Sequence, residues 1–283
     1  MKIFIFSDTH WSLGRVHRGV MKQLNHDVRY LDWAKYAWND FFTNYEWCDV
    51  CIANLVAYKA LKPSFPMLDL KKCIFVSHGY PEHDDITYDK SLTYGLTSEA
   101  IRTLFPPDIT PFLMPNGVDP DDFNYLPKDG TISTLGWCGA PHVPSKQVDW
   151  AYEISKQTTL DLKLATRLSY DELKEWYNRI DLLLVTSIPT ADRESGPLPP
   201  FEAVVSGVPV IGTPVGNFKN IPGPKFESVE QAVSLINYYR NNPEELKQMA
   251  KEQYDYVMNN YSFKVLAPYW EKALTAKNGN NQS

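Results

Sequence analysis

The sequence has no excess of basic residues: 28 Lys and Arg stand against 34 Asp and Glu, a formal net charge of -6. A nucleic-acid binder needs clustered cations to neutralise phosphates, so that class is set aside. Strong docking on anionic lipid has no support either, although a local basic face leaves peripheral membrane association open. Long hydrophobic runs are missing as well. The stretch I-F-I-F after Met1 and Lys2 is far too short for a signal segment or a membrane span, and reads as a buried strand that starts at once. With no span and no export signal, the expected location is the cytoplasm. Cysteine is scarce, at positions 48, 51, 73 and 138, which fits a reducing compartment. Cys48 and Cys51 form a C-x-x-C, but neither a second C-x-x-C nor a paired histidine accompanies it. In the strand-like W-C-D-V-C-I-A, residues three apart point to opposite faces, so buried structural thiols are expected rather than a metal or redox site. No internal repeat of short period is present.

What the chain does have is length and alternation. Its 283 residues, 43% hydrophobic and 22% charged, suffice for two compact domains or one large α/β unit. Strands are expected at Lys2–Ser7, Asp27–Leu31, Val50–Ala53, Cys73–Ser77, Leu92–Thr97 and Phe112–Met114. Helices are expected between them, at Arg18–Asn25, Trp33–Trp47 and Ser98–Phe105. Such alternation predicts parallel β-α-β units and a doubly wound sheet. The pattern breaks at P-N-G-V-D-P-D-D-F, 115–123, whose Pro, Gly and Asp density marks a linker, and a domain boundary is expected near residue 125. Alternation then restarts, with strands at Ser133–Trp137, Leu162–Ala165, Leu182–Thr186 and Val208–Ile211. The expected layout is an N-terminal Rossmann-like domain over 1–125 and a second over 126–262. A final amphipathic helix in 263–283, with Pro268 able to kink it, crosses back to the first domain before a disordered K-N-G-N-N-Q-S tail.

In open parallel sheets ligands collect where strands end and helices begin. Two such sheets facing a central cleft suit a ligand with two chemically distinct ends. After the first strand comes S-D-T-H-W-S-L-G-R. S-D-T-H resembles the opening of the metallophosphoesterases, but the G-D, G-N-H and G-H-x-H segments that family also needs are missing, and two ligands do not hold a metal pair. The remaining use of this loop is backbone, with Gly14 permitting close approach of a phosphate or sugar. I-F-V-S-H-G places His78 at the end of the fourth strand. G-W-C-G-A-P-H-V-P-S-K-Q places Lys146 at a helix entrance, where it suits a phosphate clamp.

The densest signal is R-E-S-G-P-L-P-P-F-E-A-V-V-S-G-V-P-V-I-G-T, from Arg193 to Thr213. Pro199 and Pro200 fit the first positions of a helix, which puts Glu202 in its first turn and Glu194 in the loop before it. Paired carboxylates suit glycoside hydrolysis, yet acids are also the usual acceptors for sugar and ribose hydroxyls. An anionic pyrophosphate between them would face the positive end of the helix. A sugar-nucleotide, with hydroxyls at both ends and phosphate in the middle, fits that arrangement better.

With E-S-G-P-L-P-P-F-E-A-V-V-S-G-V-P-V-I-G-T, P-N-G-V-D-P-D-D-F and Y-N-R-I-D-L-L-L-V-T-S in this order, the chain resembles retaining glycosyltransferases of family 4, with their E-x7-E signature and GT-B fold. The resemblance runs over nearly the whole chain. It implies that Glu202 accepts hydrogen bonds from the nucleotide ribose and that Glu194 lies by the hydroxyls of the transferred sugar. Ser195, Gly196, Pro197 and Leu198 would border the sugar and phosphates, and Lys146 would stabilise the leaving diphosphate. His78 would approach the donor sugar, Gly14 would meet phosphate or sugar, and the loop from Arg167 to Tyr170 would border the base. The catalytic set is then Lys146, Glu194 and His78. Two positions depart from the family: glycine is usual where Pro197 stands, and a basic residue is usual where Trp137 or Cys138 stands, so Arg15, Arg167 or Arg193 could share the phosphate charge.

The implied reaction moves a hexose from a nucleoside diphosphate, of the GDP-mannose or UDP-glucose type, to a hydroxyl on a glycan or glycoconjugate. It proceeds with retention by front-side attack and needs neither a metal nor another cofactor. A non-catalytic sugar-nucleotide-binding module and, more remotely, a metallophosphoesterase are the alternatives.

Overall fold

A computed structural model describes residues 1–8, 12–79, 82–189 and 195–281. The chain divides into two compact units, Met1–Gly117 with Phe263–Ser283, and Val118–Ser262. The division falls at Gly117 and Val118 rather than near residue 125. Within the second unit, Val118 pairs with Ser262 and its N–H donates to the Tyr261 carbonyl at 3.0 Å, which ties the two ends of that unit together.

The first unit is built on β1 (Lys2–Ser7), α1 (Ser12–Met21), β2 (Asp27–Asp32), α2 (Trp38–Trp47), β3 (Val50–Asn54), α3 (Leu55–Ser64), β4 (Cys73–Ser77), β5 (Thr93–Leu96) and β6 (Phe112–Leu113). The strands form one sheet in the order β2-β1-β3-β4-β5-β6, parallel throughout. Strands β1, β3 and β4 read as near-continuous apolar runs because helices cover both faces of a parallel sheet.

The second unit contains β7 (Thr134–Cys138), α4 (Val148–Thr158), β8 (Asp161–Ala165), α5 (Tyr170–Tyr177), β9 (Leu182–Val185), α6 (Leu198–Val205), β10 (Val210–Gly212), α7 (Val229–Asn241) and α8 (Pro243–Tyr261). Its sheet is β10-β9-β7-β8, again parallel. The chain leaves β7 toward β8 on one side and later returns to β9 on the other, so the crossover direction reverses between β7 and β9. The last helix, α9 (Phe263–Asn281), groups with the first unit.

Four local differences from the sequence reading have physical causes. The helix expected over Trp33–Trp47 begins only at Trp38, because the Asp32 carboxyl accepts the Ala34 N–H at 2.9 Å and holds a turn there. Ser98–Phe105 forms 3-10 turns over Glu99–Leu104 and stops before Pro106 and Pro107. Pro268 lies inside a continuous α9. It removes one N–H near the helix start, while burial of Leu266, Ala267, Trp270, Ala273 and Leu274 holds the axis. The segment from Lys277, expected to be disordered, is helical through Asn281, with the buried Lys277 Nζ donating to Thr93 Oγ1 at 3.0 Å.

The cysteine geometry also differs. Cys48 caps α2 rather than lying on β3, so strand alternation does not apply, and Cys48, Cys51 and Cys73 share one apolar cluster. All three are buried free thiols. Burial pushes Cys48 up to about 12 and Cys51 well above its ordinary value.

Candidate functional site

In the second unit, the ends of β7 and β9 frame a recess of about 320 Å³ including its solvent-open part. It lies where the crossover direction reverses, the position at which open α/β sheets hold ligands. Trp137 and Cys138 line it from β7, Thr186 and Ser187 from the end of β9, Lys146 from the loop after β7, and Pro197, Pro199 and Pro200 from the start of α6. Among these residues Lys146 supplies the cationic side chain.

A short chain of hydrogen bonds shapes this recess. The Trp137 indole Nε1 donates to Thr186 Oγ1 at 2.9 Å, and the Thr186 hydroxyl donates to the Lys146 carbonyl at 2.8 Å. The Ile188 N–H donates to the Ser145 carbonyl at 2.8 Å. These bonds tie the 3-10 turn Pro144–Lys146 to the strand ends through its backbone. Trp137, which with Cys138 was noted from the sequence for the lack of a basic residue, thus has a structural task. Thr186 was not singled out from the sequence. Its signal is a polar residue directly after the apolar L-L-L-V.

The start of α6 is poor in donors. Pro197 is its N-cap, with φ -60 and ψ 130 and no side-chain cap, and prolines follow at the next positions but one. Pro197, Pro199 and Pro200 carry no N–H, so of the four amides that precede the first intrahelical bond only that of Leu198 has a hydrogen to donate. Ser195, Gly196 and Leu198 are buried, and the Ser195 carbonyl accepts the Asn217 N–H at 3.2 Å. Glu194, together with Arg193, lies outside the described residues.

Glu202 is the fifth residue of α6, just past the first turn in which the sequence pattern places it, because the helix already starts at Leu198. It is 4% exposed, and its Oε2 accepts the Tyr177 hydroxyl at 2.8 Å. Arg167 is exposed, just beyond β8, in the left-handed region with φ 58. The next residues start α5 with a capping box between Ser169 and Glu172.

Gly14 and His78 belong to the first unit. The Gly14 N–H donates to Asp8 Oδ1 at 3.4 Å. This gives Asp8 a loop-closing contact; His10, the other residue of S-D-T-H that would ligate a metal, lies outside the described residues. Among the described residues no three His, Cys, Asp or Glu side chains are gathered as metal ligands. His78 follows β4, and its backbone N–H donates to Glu82 Oε2 at 2.7 Å. Burial raises Glu82 to about 7, opposed by the hydrogen bonds from His78, Ser77 and Gly79. The His78 ring lies 5.9 Å from that of His17, and burial, with the His17 charge adding, holds it well below the ordinary histidine value. His17 and Glu82 were missed from the sequence, which showed only single polar residues without a motif.

The family described as glycosyl transferase-like matches residues 136–271, which include the recess, Tyr177 and Glu202. No curated protein matches the chain in sequence. Among solved structures, HepE of Anabaena in complex with UDP is similar at 12% identity and a TM-score of 0.65, over 98% of this chain and 100% of that one. Sucrose-phosphate synthase from Thermosynechococcus elongatus is similar at 10% identity and 0.73, over all of both chains. AviGT4, a glycosyltransferase involved in avilamycin A biosynthesis, is similar at 13% identity and 0.65, over 99% and 98%. At these identities the likeness shows the fold, which is GT-B, with two parallel-sheet Rossmann-like domains. Among the described residues no helix is long and apolar enough to cross a membrane.

Proposed function

We propose that the chain is a retaining, metal-independent glycosyltransferase of the family 4 type. It moves a hexose from a nucleoside-diphosphate sugar, of the UDP-glucose or GDP-mannose kind, to a hydroxyl of a glycan or glycoconjugate in the cytoplasm. The observation that carries this reading is the recess at the reversal point of the second sheet, with Lys146 on its wall and Glu202 held in α6 by Tyr177. The GT-B fold, the glycosyl transferase-like match over 136–271 and UDP in the similar HepE structure support it.

In this reading the ribose hydroxyls donate to Glu202 and the diphosphate lies by Lys146 and the Leu198 amide. Glu194 and His78 serve the transferred sugar, Gly14 the phosphate or sugar, and Arg167 the base. The acceptor oxygen attacks the anomeric carbon as the bond to the diphosphate breaks, and the leaving phosphate takes the acceptor proton. The work left to the protein is electrostatic: a fixed cation placed where negative charge develops.

The donor-poor start of α6 favours a second reading, a sugar-nucleotide-binding module without turnover. Release of nucleoside diphosphate from a panel of nucleotide sugars, with and without sugar acceptors, separates the two. Turnover of at least one donor is expected; tight binding with neither transfer nor hydrolysis would select the module.

Cys138 gives a test that needs no knowledge of the donor. It is half-buried on the recess wall, whereas Cys48, Cys51 and Cys73 are buried. Iodoacetamide should therefore alkylate Cys138 first. A nucleoside diphosphate at ten times its Kd should slow that labelling roughly tenfold, as simple occupancy requires. Peptide mass spectrometry reads both, and labelling indifferent to every nucleotide would place the donor elsewhere.

A further inference from the structure

The three sequence segments that suggested the family converge on one buried contact. Tyr177 opens Y-N-R-I-D-L-L-L-V-T-S, Phe123 closes P-N-G-V-D-P-D-D-F, and Glu202 ends E-S-G-P-L-P-P-F-E. The Tyr177 ring packs edge-on against Phe123, with centroids 6.2 Å apart, and against Trp176 at 5.2 Å. Phe123 also meets Tyr170 at 5.7 Å, and the Tyr170 hydroxyl donates to Asp122 Oδ2 at 3.2 Å. Tyr177 is fully buried, and its hydroxyl donates to Glu202 Oε2 at 2.8 Å. On the neighbouring side Phe201 stacks on Tyr261 at 4.5 Å, which fixes the helix that carries Glu202.

We infer that Tyr177 is a positioning residue for donor recognition, its ring clamped by Phe123 and its hydroxyl holding Glu202 in the orientation that receives the nucleotide ribose. The inference rests on the proposed donor site and adds to it the group that sets the selectivity for ribose. A glutamate side chain has several rotatable bonds whose ordering costs free energy on binding. A hydrogen bond already present in the free protein moves that cost from binding to folding. Phe123 gives the 115–123 segment a role in the site besides its place near the division between the units.

The test uses calorimetry on the full chain. UDP, GDP and ADP are titrated, and the tightest is compared with its 2′-deoxy and 3′-deoxy forms, for the native chain, Tyr177→Phe and Glu202→Gln. Tyr177→Phe keeps the ring against Phe123 but removes the donor to Glu202. It should bind the ribonucleotide about tenfold more weakly, the scale of one hydrogen bond to a carboxyl group. Its preference for ribose over deoxyribose should fall toward one, a ratio that a merely structural role would leave alone. Should that variant fail to fold, Phe123→Leu loosens the clamp with both polar partners in place, and a smaller fall in the same ratio is expected. Native affinity and ratio in Tyr177→Phe, with both lost in Glu202→Gln, would overturn the role of Tyr177 and leave the donor site standing. A native chain that binds none of the three nucleotides would overturn the donor site itself.

Discussion

Trp270→Ala is expected to destabilise the first unit by about 3–5 kcal/mol, the usual cost of removing a fully buried tryptophan from a packed core. Trp270 is 0% exposed and is the largest side chain of α9 inside that unit. Its ring packs edge-on against His17 of α1 at 5.4 Å, and its Nε1 donates to the Pro115 carbonyl at 3.2 Å. The substitution therefore opens a cavity and strips a buried carbonyl of a donor. Nearby, a Cβ at Gly19 would run into the Phe263 ring, so α1 and α9 have little room to close the gap. Calorimetry should show a melting temperature lower by roughly 6–20 °C, given about 2–4 °C per kcal/mol at this size. A shift within a few degrees would mean that α9 contributes little to the unit.

The same variant carries a pH signature. Burial, with Arg18 adding, lowers His17 to about 3 from its ordinary 6.5. Between those values the unfolded chain takes up a proton that the folded chain refuses, so native stability rises with pH across this window and this contribution levels off above 6.5. Opening the Trp270 site to water should bring His17 back toward its ordinary value and flatten that slope. Denaturant midpoints at pH 4.5 and 7.5 for both proteins measure it, and an unchanged slope would deny that Trp270 is what keeps His17 dry.

Lys146→Ala is expected to lower kcat for transfer about 10²–10³-fold, the range seen when one preorganised group opposite developing charge is removed. Donor Kd should change less, because the ribose and base contacts lie on other residues. The substitution is well suited to the question. The Thr186 hydroxyl bonds the Lys146 carbonyl, a backbone acceptor that alanine retains, so the loop geometry should survive. Lys146→Arg should recover part of the rate by restoring the cation. Single-turnover measurements with the donor identified by the panel would check this. A Lys146→Ala chain with native kcat would show that the diphosphate charge is met by another group, and the departures at Pro197 and at Trp137 or Cys138 make that comparison informative.

Much of this protein was determined by its sequence alone, because parallel sheets leave a strong local mark. Apolar runs such as I-F-I-F, C-I-F-V and L-L-L-V are buried on both faces whatever surrounds them, and the helices between them force parallel pairing. The motif residues could likewise be named, through the resemblance that their segments carry. Only the tertiary structure decided what those residues touch. Periodicity could not show that Glu202 sits one turn inside α6 against Tyr177, since the helix start depends on how Pro197–Pro200 pack. Nor could it show that Trp137 and Thr186 tie the Lys146 turn to two adjacent strand ends. His17 bears no local sign because the rings around it, His78 and Trp270, come from far along the chain, and the carboxylate that Tyr177 meets is equally remote from it in sequence. The same reason applies to α9: an amphipathic face announces that it will be buried, but the surface that buries it is set by the whole unit.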